Sequence, residues 1–133
     1  KSFRLPTEAE WEFAARGGNK SCGYQFSGSD DLDEVACYSG NSYDETCDVA
    51  SFESNELGLY DMSGNVCEWC LDWYGNYNSS AQTDPKGLTS GSDRVIRGGS
   101  WSLDVESCRL SYRENGSPDD SDNDLGLRLA LSE

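Results

Sequence analysis

The chain contains no histidine. That absence removes Ser-His-Asp and Cys-His nucleophilic sites, histidine-ligated zinc and the two-histidine triad of non-haem iron. Basic side chains are scarce as well: 10 Lys and Arg stand against 25 Asp and Glu, a formal net charge of −15. Such a field repels phosphate backbones and anionic lipid, so no nucleic-acid partner is expected. A cationic group or a divalent metal suits it. No apolar run approaches the ~20 residues of a membrane span, so direct membrane insertion is not expected either. No secretory leader is recognisable, and the opening KSFRLP reads as the middle of a longer polypeptide.

What is present is aromatic and loop-rich. The length of 133 residues suits one domain with one core, and four Trp, seven Tyr and four Phe supply much of its contact area. Six cysteines (Cys22, Cys37, Cys47, Cys67, Cys70 and Cys108) leave every pairing scheme open. Cys67 and Cys70 form a CxxC with no second CxxC to complete a zinc site, and their flanks do not read as a redox turn. An even number of cysteines in such a domain points to structural disulfides and an oxidising compartment.

Residues 5–17, LPTEAEWEFAARG, carry the clearest helix signal. Thr7 and Glu10 form a capping box, Gly17 and Gly18 end the helix, and Trp11, Ala14 and Ala15 share an apolar face with Glu8 and Glu12 toward solvent. Residues 19–56 are polar and weakly periodic; short strands are expected around Val35–Tyr38, and Asp30, Asp31, Asp33 and Glu34 read as a solvated loop. A connection this long inside one domain is usually stapled, which gives Cys22, Cys37 and Cys47 a role. Residues 67–70 read as a buried strand after a Ser63-Gly64-Asn65 turn. Glu68 then needs hydrogen bonds or a cation; Asn65 and nearby carbonyls could complete a hard-cation site with it. Arg94–Ile96 alternates as a strand, Gly98 and Gly99 permit close backbone approach, and Leu125–Leu131 reads as one closing strand with four leucines on one face and Arg128 opposite.

Between those last two elements the residues follow no period. Ser102, Leu103, Asp104, Glu106, Ser107, Tyr112, Glu114, Asn115, Gly116, Ser117, Asp120, Asp122 and Asp124 mix charge, amide, hydroxyl and apolar groups. Stiff ends around unpatterned contents suit a display surface, whereas an active site needs a few converging groups.

Four segments occur in order: RLPTEAEWEFAARGG, NELGLYDMSGNVCEWCLDWYG, RVIRGGSW and LGLRLA. Together they resemble the formylglycine-generating enzyme, or sulfatase-modifying factor, domain over essentially the whole chain. The resemblance implies an α+β, C-type lectin-like fold, loop-rich, with short antiparallel strands and few helices. It implies a single domain over residues 1–133 that lacks the family's N-terminal portion. Formylglycine-generating enzymes hold copper with two cysteines after the GGS motif; the second falls on Cys108 but the first on Leu103. The family's sulfoxide synthases need histidine-ligated iron. No copper, no iron and no enzyme activity are therefore expected, with a copper-dependent oxidase as the alternative reading.

The frame RGGSW, Cys108-Arg109, Arg113, Pro118, Leu125-Gly126, Arg128-Leu129-Ala130 is similar to the variable proteins of diversity-generating retroelements. That likeness implies a variable region over 94–130, with residues 102–124 exchanged by mutation at template adenines. Most residues between the frame positions are reachable from Asn codons in that way; Glu106 and Glu114 are not. The implied function is receptor binding or surface display toward a protein ligand, one with a cationic surface given these acids. The implied location is extracellular, cell-surface or virion. The family likeness also implies structural calcium at Asn65, Val66 (through its carbonyl) and Glu68. Cys37 and Cys67 stand where relatives commonly carry Trp, which suggests a disulfide between them, with Cys70 and Cys108 as a second pair.

Overall fold

In the computed structural model, which describes residues 1–132, strand β1 (Ser2–Arg4) leads into helix α1 (Glu8–Ala15). The capping box sets where that helix begins. Thr7 Oγ1 accepts the Glu10 N–H at 3.2 Å, and the Glu10 carboxylate accepts the Thr7 N–H at 2.9 Å. Gly17, at φ 90°, takes the left-handed conformation that ends the helix. Trp11 and Ala15 are buried as the spacing predicts, but the acidic face is not simply solvated. Glu8 is buried against two arginines and Glu12 is half-covered by one of them. Helical period assigns Glu8 to the outer face; the tertiary structure lays other strands over it.

Four strands form the main sheet in the order β4-β3-β2-β5. They are β2 (Cys67–Trp73), β3 (Arg94–Arg97), β4 (Arg113–Gly116) and β5 (Leu125–Leu127). β3 is antiparallel to both β2 and β4, whereas β5 runs parallel to β2, pairing Glu68 with Gly126. One sheet face, carrying Glu68, Cys70, Val95 and Arg97, turns toward α1, and its apolar members pack with Trp11, Met62 and Leu110. Residues paired across strands point the same way. Cys67, Trp69, Ile96 and Glu114 therefore share the opposite face.

The expected closing strand over Leu125–Leu131 is broken at Arg128 and Leu129. β5 belongs to the main sheet, and β6 (Ala130–Ser132) pairs with β1 in a separate two-stranded sheet. At the break, the Arg128 guanidinium donates to both carboxylate oxygens of Glu68 and to the Tyr60 carbonyl. Leu127, Leu129 and Leu131 are consequently exposed, at 60%, 56% and 52%, so they do not form a buried leucine face.

The long connector holds a short helix, α2 (Leu32–Val35), capped by the Asp31 carboxylate, where strands were expected. Leu32 and Val35 turn inward to a second cluster with Phe26, Ala36 and Cys108. A local side-chain cap and two inward apolar residues favour a short helix at the start of that stretch. Cys37 is bonded to Cys47, and Cys22, Cys67, Cys70 and Cys108 are free. Neither implied pair forms. Cys67 turns toward Glu114 at 3.5 Å, and Cys70 and Cys108 lie in different apolar clusters.

Candidate functional site

The segment between Trp101 and Leu125 is fastened at both ends before any of its side chains matter. At its start, Gly98 (φ 102°) and Gly99 (φ 71°) occupy backbone space that other residues would not fit. A Cβ on Gly99 would lie 2.7 Å from both Cys108 Sγ and the Ser107 carbonyl; one on Gly98 would lie 3.2 Å from Trp11. At its end, Asp124 accepts hydrogen bonds at 2.7 Å from Ser100 Oγ and Ser102 Oγ, and its carbonyl accepts the Cys67 N–H. Sequence and packing thus tie residue 124 back to residues 100 and 102.

Beneath the segment sits a buried charge network. Glu8 receives Arg97 at 2.6 Å, Arg113 at 2.6 and 2.8 Å and the Tyr77 hydroxyl at 2.9 Å; Arg97 also grips Glu12 at 2.6 Å and donates to the Leu110 carbonyl. Burial opposes ionisation of Glu8, but Arg113, Arg97 and Tyr77 outweigh it and hold its pKa below the usual carboxylate range. Tyr77 is pushed up to about 12, by burial first and then by the Glu8 charge. Every charge here is answered by another, so the network reads as scaffold.

The predicted display residues fall into three groups. Ser102, Asp104, Glu106, Asn115, Asp120 and Asp122 are exposed, and Leu103, Tyr112, Glu114, Ser117 and Asp124 are half-buried. Ser107 and Gly116 are buried: Ser107 bonds Asp104 through both its backbone N–H and its hydroxyl. Gly116 lies on β4, where a Cβ would come within 3.0 Å of Ile96 and 3.1 Å of Trp69. The structure gathers Leu103, Glu114, Asn115, Gly116, Asp120, Asp122 and Asp124 around one cavity of about 350 Å³. Ser102, Asp104, Glu106, Ser107, Tyr112 and Ser117 are not among its lining residues. Ile96, Leu125 and Cys67 complete an apolar floor beneath the acidic rim, together with Ser121. Sequence reasoning missed Cys67 and Ile96; strand alternation from the framed RVIR and CEWC segments is the signal that puts them on that face.

The buried thiols Cys67 and Cys108 lie in surroundings that oppose the thiolate. Burial, followed by the Glu114 and Asp124 charges, drives the Cys67 pKa far up, and Cys108 is pushed up to about 12 chiefly by burial. A thiol nucleophile acting without a metal needs the thiolate. The implied calcium ligands are also engaged elsewhere. Asn65 Oδ1 accepts the Cys47 N–H at 3.1 Å, and Glu68 accepts the Trp11 indole N–H at 2.8 Å and Arg128 at 2.9 and 3.1 Å. Arg128 already supplies the cation Glu68 requires, so these side chains as arranged do not fit a resident divalent ion. Among the described residues no group of three or more His, Cys, Asp or Glu side chains is placed to hold a metal.

A lectin-type α+β scaffold with a framed polar segment is the class that this geometry defines. The whole chain, residues 1–133, matches the sulfatase-modifying factor enzyme 1-like domain, and the protein belongs to that family. Among solved structures it is similar to Treponema denticola variable protein 1, with 44% identity and a TM-score of 0.90 over 97% of this chain and 47% of that one. Chaperone protein LppX of Paenibacillus barcinonensis is 37% identical over 98% of this chain and 49% of its own length. The formylglycine-generating enzyme of Streptomyces coelicolor is 37% identical over 96% and 46%. The chain thus spans about half the length of these three relatives.

Proposed function

We propose that this domain is a non-catalytic ligand-binding module that presents the side chains of residues 102–124 to a protein ligand, as a receptor-binding or surface-display domain. The observation that carries the reading is the contrast between frame and contents. Both ends of the segment are locked to the core, while Asp104, Glu106, Asp120 and Asp122 stand exposed between them. Exposed positions away from special features exchange at a cost within ~0.5 kcal/mol, so contents can change while the fold persists. The likeness to a variable protein supports the same reading. Asp120, Asp122 and Glu114 around an apolar floor suit a cationic protein surface. The Cys37–Cys47 disulfide accords with display outside the cytoplasm, and no helix among the described residues is long and apolar enough to cross a membrane.

Sequencing the locus tests diversification. A neighbouring reverse transcriptase and a near-copy of codons 94–130 differing only at adenines are expected; a locus without both overturns that part. Binding is tested on an array of Lys/Arg-containing peptides probed with the domain. Asp120→Asn with Asp122→Asn is expected to change the pattern of captured peptides; an unaltered pattern argues against the display reading. The oxidase reading rests on Cys108 and on relatives that are formylglycine-generating enzymes. Copper-dependent thiol oxidation abolished by Cys108→Ala would establish it in place of the binding reading.

A further inference from the structure

The Cys37–Cys47 disulfide closes a loop that lies against the first residues of the display segment. The Ser39 N–H donates to the Leu103 carbonyl at 3.0 Å, and Ser42 Oγ donates to the Trp101 carbonyl at 2.8 Å. Asn65 joins the loop's two ends to the same place. Its N–H donates to the Cys37 carbonyl at 2.7 Å, its Oδ1 accepts the Cys47 N–H at 3.1 Å, and its carbonyl accepts the Trp101 N–H at 2.8 Å. The backbone groups of Trp101 and Leu103 are thus held by the loop and by Asn65 between its two ends.

Apart from these hydrogen bonds and the disulfide, little holds the second half of the loop in place. Cys37 is fully buried, but beyond Ser42 the chain through Ala50 is exposed except at Cys47, which is half-covered. Tyr43 is 93% exposed and Val49 81%, so neither contributes burial. Tyr43, Asp44 and Ala50 sit at φ 56°, 62° and 57°, left-handed conformations that cost about 1–2 kcal/mol each in a non-glycine residue. Tyr38 anchors the loop's first residues on the second apolar cluster, but from Tyr43 to Thr46 the loop has no apolar anchor and two unfavourable backbone angles, so this half depends on its covalent closure.

We propose that the Cys37–Cys47 disulfide is a positioning latch for the display segment, and that its reduction releases Trp101–Leu103 while the domain stays folded. The reductant is a dithiol. Its thiolate attacks the half-covered Cys47 sulfur and forms a mixed disulfide as the S–S bond breaks and Cys37 leaves as thiolate, which takes up a proton. The dithiol's second thiolate then attacks the mixed disulfide and frees Cys47, which takes up the second proton. The dithiol ends as a disulfide, and two electrons pass to the two cysteines. The consequence for ligand capture rests on the reading of residues 102–124 as the binding face; the structural release does not.

Amide hydrogen exchange on the whole domain, with and without dithiothreitol, tests the latch. The Ser39, Cys47 and Trp101 amides are expected to exchange about tenfold faster or more after reduction, with Trp69 and Ile96 in β2 and β3 unchanged. A second variant, Ser42→Ala in the oxidised domain, is expected to speed exchange at Trp101 without breaking the disulfide. No acceleration at Trp101 on reduction overturns the proposal. Equal acceleration in β2 and β3 overturns it too, because the bond would then be a global staple. Reduction is also expected to weaken capture on the Lys/Arg peptide array at least threefold. If Asp120 and Asp122 prove irrelevant on that array, the display reading fails while the exchange result still decides the latch.

Discussion

Glu8 is the residue on which most of the buried charge converges. Its carboxylate is shared between Arg97, whose side chain is fully buried, and Arg113, so removing its charge leaves Arg113 without its carboxylate and Arg97 with Glu12 alone. Breaking a buried pair from one side costs about 3–5 kcal/mol, and Glu8→Gln is expected to lower the urea midpoint accordingly at pH 7. The pH dependence follows from the same residue. Glu8 and Glu10 both have pKa values held below the ordinary 4.5, Glu10 at about 2 through its hydrogen bond with Arg4. Groups depressed by folding stabilise above their unfolded pKa and lose that contribution as pH falls through the folded one. Asp72, whose pKa is raised by burial, contributes in the opposite sense, its share lost as pH rises. Urea midpoints measured from pH 5 down to 2 are therefore expected to fall, and to fall less steeply in Glu8→Gln. At Glu68, Arg128 in place of a metal predicts a melting midpoint unmoved by chelator; a drop of several degrees would instead reveal a folding-linked ion.

Among the elements, the Gly98-Gly99 bend tolerates replacement poorly. Gly99→Ala combines a left-handed backbone with a Cβ 2.7 Å from two fixed atoms, and is expected to cost more than about 2 kcal/mol. Asp104→Ser or Asp122→Ser, at exposed positions of the segment, is expected to stay within about 1 °C to 4 °C of the parent melting temperature. The bend, the α1 capping box and the strands around CEWC and RVIR were legible in the sequence, because each is written in local chemistry. Two features were not. Glu8 meets Arg97 and Arg113 across 89 and 105 positions of chain, and helical period carries no information at that range. The alternating leucines of Leu125–Leu131 follow strand period faithfully, yet the run divides between two sheets around Arg128, a long-range outcome that period does not carry. The face holding the cavity was legible as unpatterned residues; its floor of Cys67 and Ile96 depended on strand register.

At the scale of the molecule, the −15 charge is a long-range field as well as a local rim of carboxylates. Association with a lysine-rich protein probe is expected to slow by about tenfold or more between roughly 50 and 500 mM salt, with dissociation changing less. A rate indifferent to salt would mean that the acids only solubilise. The topology adds a further consequence. Arg97 and Arg113, between which most of the early display residues hang, are direct partners across β3 and β4, and both clasp Glu8. The chain therefore leaves the sheet and returns to it at the same rung. Loop closure costs only ~0.6 kcal/mol for each doubling of length, so residues inserted near Asp104 would lengthen the excursion without moving its roots. The same scaffold that accepts new side chains can accept a longer reach, toward a recessed target that point substitutions alone would not touch.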